Sequence, residues 1–180
     1  MSQKEHLELL ATYNQWMNAK IYEAAERLPA ADLVKDRGAF FGSILGTLNH
    51  ILVADMIWLK RFATHPACQH TLQAVADLPD PTSLDQLLFE DLGSLTEQRN
   101  WLDRQIIRWV GELSEDDLGA ILSYRNTKGI PGNKRFASLL LHFFNHQTHH
   151  RGQVSTLLSQ AGVDIGVTDL LALIPEETQA

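Results

Sequence analysis

The chain has 180 residues, a formal net charge of −7, and a composition of 44% hydrophobic and 21% charged residues. This length fits one globular domain, and we expect a single domain over residues 1–180. The acidic balance argues against a dedicated nucleic-acid binder, because such proteins usually carry a basic patch or stripe. The fifteen Lys and Arg residues are scattered, and the pair Lys134-Arg135 is too small to change that expectation.

Cysteine content and hydropathy bear on the compartment. Cys68 is the only cysteine, which excludes an intramolecular disulfide and fits a reducing compartment. The polar start of the chain lacks the apolar run of a secretory signal. No stretch approaches the ~18 uncharged apolar residues that a membrane span requires. We therefore expect a cytoplasmic protein with no membrane association.

Apolar residues recur at helical spacing along most of the chain. The first helix is predicted over about residues 5–28, and Pro29 with the polar segment 32–38 ends it. Ser43 is a candidate N-cap for a second helix over about 43–64. The interior of this second helix is apolar nearly all round, which predicts burial between neighbouring elements.

The middle of the chain alternates turn signals with helical periodicity. Residues 65–82 contain three prolines and are predicted to form a loop. Ser83 is predicted to cap a third helix that runs to about Leu113, and a short turn follows from Ser114. Turn-forming residues in 124–131 predict a small hairpin or irregular segment before the last long helix.

The fourth helix is predicted to begin near Lys134 and to end at Gly162, where a glycine suits a C-terminal cap. The tail over 163–180 has enough apolar residues for one packed segment, namely Leu170, Leu171, Leu173 and Ile174. Four long amphipathic helices with varied connections predict an all-α protein built as a four-helix bundle.

The most informative feature is a histidine cluster in the fourth helix, which holds His142, His146, His149 and His150. On a helical wheel His150 lies at the margin of the apolar face and His146 lies about 40° further out. His142 and His149 fall toward the polar side. The i, i+4 spacing of His146 and His150 lets two imidazoles reach one ion, as in helical zinc sites with a His-x-x-x-His pair.

A third ligand must come from another element, and His50 in the apolar second helix is the strongest candidate. Two other interpretations remain open for these histidines: a solvated histidine-rich face, or rings that hydrogen-bond to the backbone and to carboxylates. A zinc protease is disfavoured, because no Glu occupies the position that its chemistry requires. A second ligand set at His65, Cys68 and His70 lacks a fourth partner and is more simply a polar loop.

Two runs of sequence carry a resemblance to a known family: Asn-His at 49–50 and Asn-His-Gln-Thr-His-His-Arg-Gly-Gln at 145–153. Together they resemble the DinB/YfiT-like proteins, and the order of four helices extends the resemblance over about residues 5–174. The segment after Gly162 also resembles the family, although it lacks the usual proline before its Thr-Asp pair. The resemblance implies a four-helix bundle, commonly a homodimer, in which His50, His146 and His150 hold a divalent metal ion.

Three neutral imidazoles leave a bound ion with open positions, and such a centre can lower the pKa of a bound water or thiol. Nitrogen ligands suit Zn, Ni, Cu or Fe, and we expect Zn or Ni. Because several relatives resemble thiol-dependent transferases and isomerases, the leading hypothesis is a metal-dependent enzyme. It would carry out thiol S-transfer, or a related hydrolase or isomerase step, on a small-molecule substrate with a low-molecular-weight thiol as cosubstrate.

Two alternatives to catalysis remain. One is a non-catalytic helical stress or interaction protein with a structural or vestigial metal site, and the other is a metal-free dimeric bundle. Near the histidines, we expect Arg151 and Gln153 to orient the ligands or to contact the opposing helix. Gly152 is expected to let another helix approach closely. The four tryptophans are interpreted as core or dimer-interface residues.

Overall fold

The computed structural model describes residues 2–176 and is mostly helical with one two-stranded sheet. Within this range no helix is long and apolar enough to cross a membrane. The elements in chain order are α1 (Gln3–Ala25), α2 (Ala30–Val34), α3 (Ile44–Phe62), α4 (Gln69–Ala76), α5 (Leu92–Glu112), α6 (Glu115–Gly119), β1 (Ile121–Arg125), β2 (Pro131–Arg135), α7 (Phe136–Gln160) and a 3₁₀ turn (Leu170–Leu173).

The four long helices α1, α3, α5 and α7 enclose the core. Helix α1 packs against α5 and α7, and α3 packs against α7 and α5. Near one end of this core the ring of Phe62 lies 5.2 Å from Trp109 and 5.8 Å from Phe143, centroid to centroid. Trp109 is buried, whereas the other three tryptophans are half-buried. The apolar stripes predicted for the long helices thus meet in one core.

Several predicted helix ends are confirmed by their caps. The Ser43 side chain accepts a hydrogen bond from the Gly46 backbone N–H at the start of α3. Ser114 forms a reciprocal capping box with Asp117, so the turn predicted there is the short helix α6. Gly162 follows the end of α7 with a φ of +82°, the left-handed conformation that favours glycine after a helix.

The predicted start of the third helix is wrong. Its first residue is Leu92, and Asp91 rather than Ser83 caps it. The preceding segment 83–91 runs beside α3, where the amide of Asn49 exchanges two 3.0 Å hydrogen bonds with the backbone of Phe89. These bonds satisfy backbone groups that a helix would otherwise pair, so the tertiary contact overrides the local helical periodicity.

Two regions predicted to be non-helical each contain a short helix. Helix α4 lies inside the predicted loop 65–82 and buries Leu72 and Val75 against the core. Helix α2 lies within the segment that follows α1 and buries Leu33. Both are too short to produce a clear helical periodicity in the sequence, and burial of apolar side chains stabilises them.

The predicted hairpin before the last long helix is confirmed. Strands β1 and β2 pair antiparallel, with Leu122 opposite Lys134 and Arg125 opposite Pro131. Lys134 therefore belongs to β2, and α7 begins two residues later than that position, at Phe136. A hydrogen bond joins the two ends of the hairpin: the backbone N–H of Phe136, the first residue of α7, donates to the carbonyl of Ala120, just before β1.

The apolar part of the tail packs only in part. Its 3₁₀ turn contacts α1 and leaves Leu170 and Leu173 half-buried, whereas Leu171 is 75% exposed. The tail is also held through backbone carbonyls: Tyr13 Oη donates to the Thr168 oxygen at 2.6 Å, and Lys20 Nζ donates to the Val167 oxygen at 2.6 Å. Residues 177–180 of the predicted segment lie outside the described residues.

Candidate metal centre

Helices α3 and α7 bring together the three histidines that the sequence singled out. One ring nitrogen of each of His50, His146 and His150 lies within 4.8 Å of the others. The Nε2 atoms of His50 and His150 are 3.2 Å apart, and the ring centroids of His146 and His150 are 4.4 Å apart. In residues 2–176 this is the one group of three or more His, Cys, Asp or Glu side chains close enough to share an ion.

Hydrogen-bond partners orient two of the three rings. The Nδ1 of His50 lies 2.7 Å from the Leu84 carbonyl oxygen, which can only accept, so Nδ1 carries the proton. The Nδ1 of His150 lies 2.8 Å from the Gln153 side-chain oxygen and donates to it in the same way. Both tautomers leave the Nε2 lone pair directed into the centre, which is the arrangement of a metal-ligating histidine with a second hydrogen bond.

The electrostatics of the centre fit a bound cation. Burial, together with the neighbouring imidazoles, lowers the pKa of His146 to about 3. Burial also lowers the pKa of His50 and of His150. All three rings are therefore neutral at pH 7, the form that binds a metal. Two facing lone pairs at 3.2 Å repel unless a cation lies between them, so the donor set suits a divalent transition metal.

An aromatic side chain covers one side of the centre. The ring of Phe41 stacks on His50 at 3.7 Å between centroids with an interplanar angle of 15°. It also packs edge-on against His150, with 5.6 Å between centroids. The loop that carries Phe41 crosses the first turn of α3 at Gly46, where an added Cβ would lie 2.2 Å from the Phe41 carbonyl oxygen. A residue without a side chain is therefore required for the loop to lie this close.

The segment 83–91 supports the centre from the other side. Asn49 holds this segment through Phe89, and the next residue, His50, bonds to the carbonyl of Leu84 within it. Sequence reasoning missed the roles of Leu84 and Phe89, because these act through backbone atoms that no residue type reveals. The one available signal was Asn49, a polar residue in the middle of an otherwise apolar helix.

The other histidines of the cluster lie outside the triad, as the helical wheel predicted. His142 is exposed and packs edge-on against Trp58, with 5.0 Å between centroids. His149 is exposed, and its Nε2 lies 3.4 Å from the amide nitrogen of Gln153. The same Gln153 side chain therefore contacts His149 and orients His150. Cys68, by contrast, belongs to the core.

Cys68 is buried and accepts a hydrogen bond from the indole N–H of Trp109 at 3.1 Å. Burial raises the pKa of its thiol to about 11. His65, the nearest member of the second ligand set considered above, stacks on Phe136 with its ring centroid 4.8 Å away. A protonated, inaccessible thiol is neither a nucleophile nor a metal ligand at neutral pH, so this region is structural.

A neighbouring face of α7, about 100° around the helix from the triad, enters a buried polar network that the sequence did not reveal. Gln147 donates to Asp55 at 2.8 Å, and Arg151 donates to Asn14 on α1. Within the network Arg99 lies between two carboxylates, 2.5 Å from Asp55 and 2.7 Å from Asp103. The predicted contact of Arg151 with an opposing helix is thus seen. The predicted close approach at Gly152 is not, because no atom of another described element lies within 4 Å of a Cβ built there.

Comparison with known proteins places these features in context. A family model described as the DinB family matches residues 1–179. Protein DinB of Bacillus subtilis (strain 168) is 27% identical over 161 residues, covering 89% of this chain and 88% of that protein. The crystal structure of a DinB-like protein from Bacillus cereus ATCC 10987 has a TM-score of 0.58 at 19% identity, covering 87% of this chain and 91% of that chain. This second likeness concerns the fold alone.

Proposed function

This chain belongs to the DinB family, and we propose that its three converging histidines bind a divalent transition metal ion, Zn²⁺ or Ni²⁺. The ligands are His50, His146 and His150. The observation that carries the proposal is the 3.2 Å approach of two Nε2 atoms, with His50 held by an acceptor that leaves its Nε2 without a proton. Neutral imidazoles with a second hydrogen bond are the usual form of histidine in metal sites.

The proposed activity is that of a metal-dependent enzyme acting on a small molecule, by thiol S-transfer or a related hydrolase or isomerase step. When bound, a divalent ion on three imidazoles supplies a Lewis acid with positions left for water or a low-molecular-weight thiol. The described residues offer no fourth His, Cys, Asp or Glu in the group, which supports open positions. Gln153 and Leu84 hold ligand orientation, and Phe41 excludes water from one side.

The assembly is part of the same proposal. We infer that the four long helices form a four-helix bundle of the DinB/YfiT type, that residues 1–180 form one domain, and that the protein is a homodimer. An exposed apolar surface supports the dimer: Leu141 is 57% exposed beside a cavity of about 320 Å³ between α1 and α7. Its apolar lining is Leu7, Leu9, Leu10, Ala137, Leu141 and Leu170.

Metal analysis of the purified protein tests the ligand set. We expect about one equivalent of metal per chain in the wild type and in His149→Ala, and strong loss of metal in His150→Ala. His149 is a matched control, because it is the neighbouring histidine on the same helix and lies outside the triad. Stoichiometric metal in His150→Ala would remove that residue from the site, and a wild type that takes up neither Zn²⁺ nor Ni²⁺ would refute the proposal.

Turnover tests the catalytic part separately. The Zn²⁺- and Ni²⁺-loaded proteins would be assayed with L-cysteine as the thiol and an alkyl halide as the electrophile, and thioether formation would be followed by mass spectrometry. We expect turnover in the loaded wild type and loss of turnover in His50→Ala. Stoichiometric metal without thioether formation, for any of a panel of cellular thiols, would favour the non-catalytic alternative.

A further inference from the structure

The outward face of α7 borders a cavity of about 470 Å³ that adjoins the histidine triad without including it. The loop before α3 forms the opposite wall. Two contacts join cavity and triad: Gln153 bonds to His150, and Phe40 packs edge-on against Phe41, which covers His50. The cavity has the size of a small-molecule site. Its main polar and aromatic lining is Arg37, Phe40, His149, Gln153, Thr156 and Gln160.

Gly152 lies in this wall and has no structural reason within the chain to be a glycine. It is in the interior of α7, where glycine costs ~1 kcal/mol relative to alanine. A Cβ built there meets no atom within 4 Å. The other helical glycines of residues 2–176 differ from Gly152. Gly46 makes a close contact, and the rest lie within two residues of a helix end. The glycine therefore leaves open space in the cavity wall that no other element of the chain fills.

The charge of the lining indicates the chemistry of that occupant. The chain has a net charge of −7, yet the residues that line this cavity include an arginine and no Asp or Glu. The Nη2 of Arg37 donates to the Asp32 carbonyl oxygen at 3.2 Å and lies 3.8 Å from the Asp32 carboxylate. Its Nε is buried without an acceptor, and its Nη1 makes no hydrogen bond to the described residues, so Nη1 is the atom that can meet a ligand. The side-chain amides of Gln153 and Gln160 add N–H donors, whereas the hydroxyl of Thr156 donates to the Gly152 carbonyl within the helix. This lining favours a ligand rich in acceptors and negatively charged.

We propose that this cavity binds the body of the substrate or cosubstrate, and that this molecule carries a carboxylate recognised by Arg37. The proposal rests on the proposed function for the role of the triad, since the reactive end of the molecule would reach His50, His146 and His150 past Gln153. Gly152 provides the room for the molecule, and Phe40, which is 88% exposed, provides an apolar surface at the rim. Arg37 and Gly152 are then specificity-determining residues.

Binding of succinate and of its neutral diamide, succinamide, tests the proposal. Titrations followed by NMR would use the metal-free and the Zn²⁺-loaded full-length protein. We expect succinate to bind more tightly than succinamide in both states, with the largest shifts at the amides of Phe40, Gly152 and Gln160. Arg37→Gln should weaken succinate binding about tenfold and leave succinamide unchanged, because a hydrogen bond to a charged group is lost. Arg27→Gln, at an exposed arginine of another surface, is the control.

A second variant separates the cavity from the metal centre. Gly152→Leu places a leucine in the open space, where its Cβ meets no atom of another element, so it should abolish succinate binding while metal content stays at the wild-type level. Ser159→Leu places a leucine at an exposed position elsewhere on α7 and should bind succinate normally. Equal affinities for succinate and succinamide, or unchanged succinate affinity in Gly152→Leu, would overturn the proposal. So would a changed oligomeric state in Gly152→Leu with succinate binding intact, which would assign the glycine to a subunit contact. Loss of metal alone, with succinate binding retained, would count only against the proposed metal function.

Discussion

The Nε2 atoms of His50 and His150 lie 3.2 Å apart, although one hundred positions separate the two residues in the chain. As a neutral ring His50 carries its one N–H proton on Nδ1, which donates to the Leu84 carbonyl oxygen. Its Nε2 therefore has no proton to donate across the gap. His150 has its own acceptor in Gln153. This geometry fits the shared cation that we propose better than an ordinary hydrogen bond between two neutral rings, and acid should act on it strongly.

The first prediction concerns acid and the metal-free protein. The folded state holds the pKa of His146 at about 3, well below its ordinary 6.5, so the unfolded state binds more protons between these values. The free energy of unfolding should therefore fall as pH drops through this window. Urea titrations at pH 7 and pH 4.5 should show a larger loss for wild type than for His146→Gln, whose side chain does not titrate. Equal losses would show that His146 is readily protonated in the fold.

The second prediction concerns Asn49, which connects α3 to the segment beside the triad. Asn49→Ala removes three hydrogen bonds, one to the Leu45 carbonyl and two to the backbone of Phe89. We expect a loss of about 2–3 kcal/mol in the free energy of unfolding. Metal affinity should also fall, because the Leu84 carbonyl that orients His50 belongs to the released segment. Calorimetric metal titration checks this, and an unchanged affinity would show that His50 is oriented without the segment.

The third prediction concerns Gly46. In Gly46→Ala the new methyl group would lie 2.2 Å from the Phe41 carbonyl oxygen, so the loop must move away from α3. We expect a loss of about 1–3 kcal/mol, typical of overpacking, together with displacement of Phe41 from His50. Gly111→Ala is the matched control, since its Cβ meets nothing and helix propensity should make it neutral or slightly stabilising. Wild-type stability in Gly46→Ala, measured by thermal unfolding, would contradict the steric argument.

The fourth prediction concerns the buried network on the other face of α7. Asp103→Ala leaves Arg99 with one carboxylate instead of two and deprives Asn14 and Asn18 of their acceptor. Breaking such a buried ion pair should cost about 3–5 kcal/mol. Glu112→Ala breaks the exposed pair with Arg108 and should cost less than about 1 kcal/mol. Similar losses in the two variants would mean that the network contributes little to stability.

The sequence predicted the parts of the fold that local pattern determines. The long helices follow from apolar periodicity, and Ser43 and Gly162 mark ends that depend only on adjacent residues. The triad was predictable because His146 and His150 have a spacing that a helix converts directly into proximity. The apolar surroundings of His50 and the family resemblance both indicate it as the third ligand, and the structure brings it to the pair.

What the sequence could not predict depends on contacts between distant segments. The segment 83–91 has helical periodicity, but its backbone pairs instead with the side chains of Asn49 and His50 on α3. Asn14 and Asp103 have the residue types of a solvated helix face, yet both are buried because they meet at one point between α1 and α5. Pairings of this kind combine groups that are separately unfavourable to bury, so no single residue signals them.

Two adjacent pairs in α7, His146-Gln147 and His150-Arg151, limit which insertions and deletions the helix can accept. Two residues directed to the triad, His146 and His150, each precede one directed to the buried network, Gln147 and Arg151. One helix therefore holds both the triad residues and the network residues, at a fixed angle of about 100° from each other around its axis. A one-residue insertion or deletion upstream in α7 would turn the helix by about 100° and put both sets out of place together. A transfer of the centre to another scaffold must therefore keep both faces of the helix. The new scaffold must also supply acceptors for Gln147 and Arg151, as Asp55 and Asn14 do here.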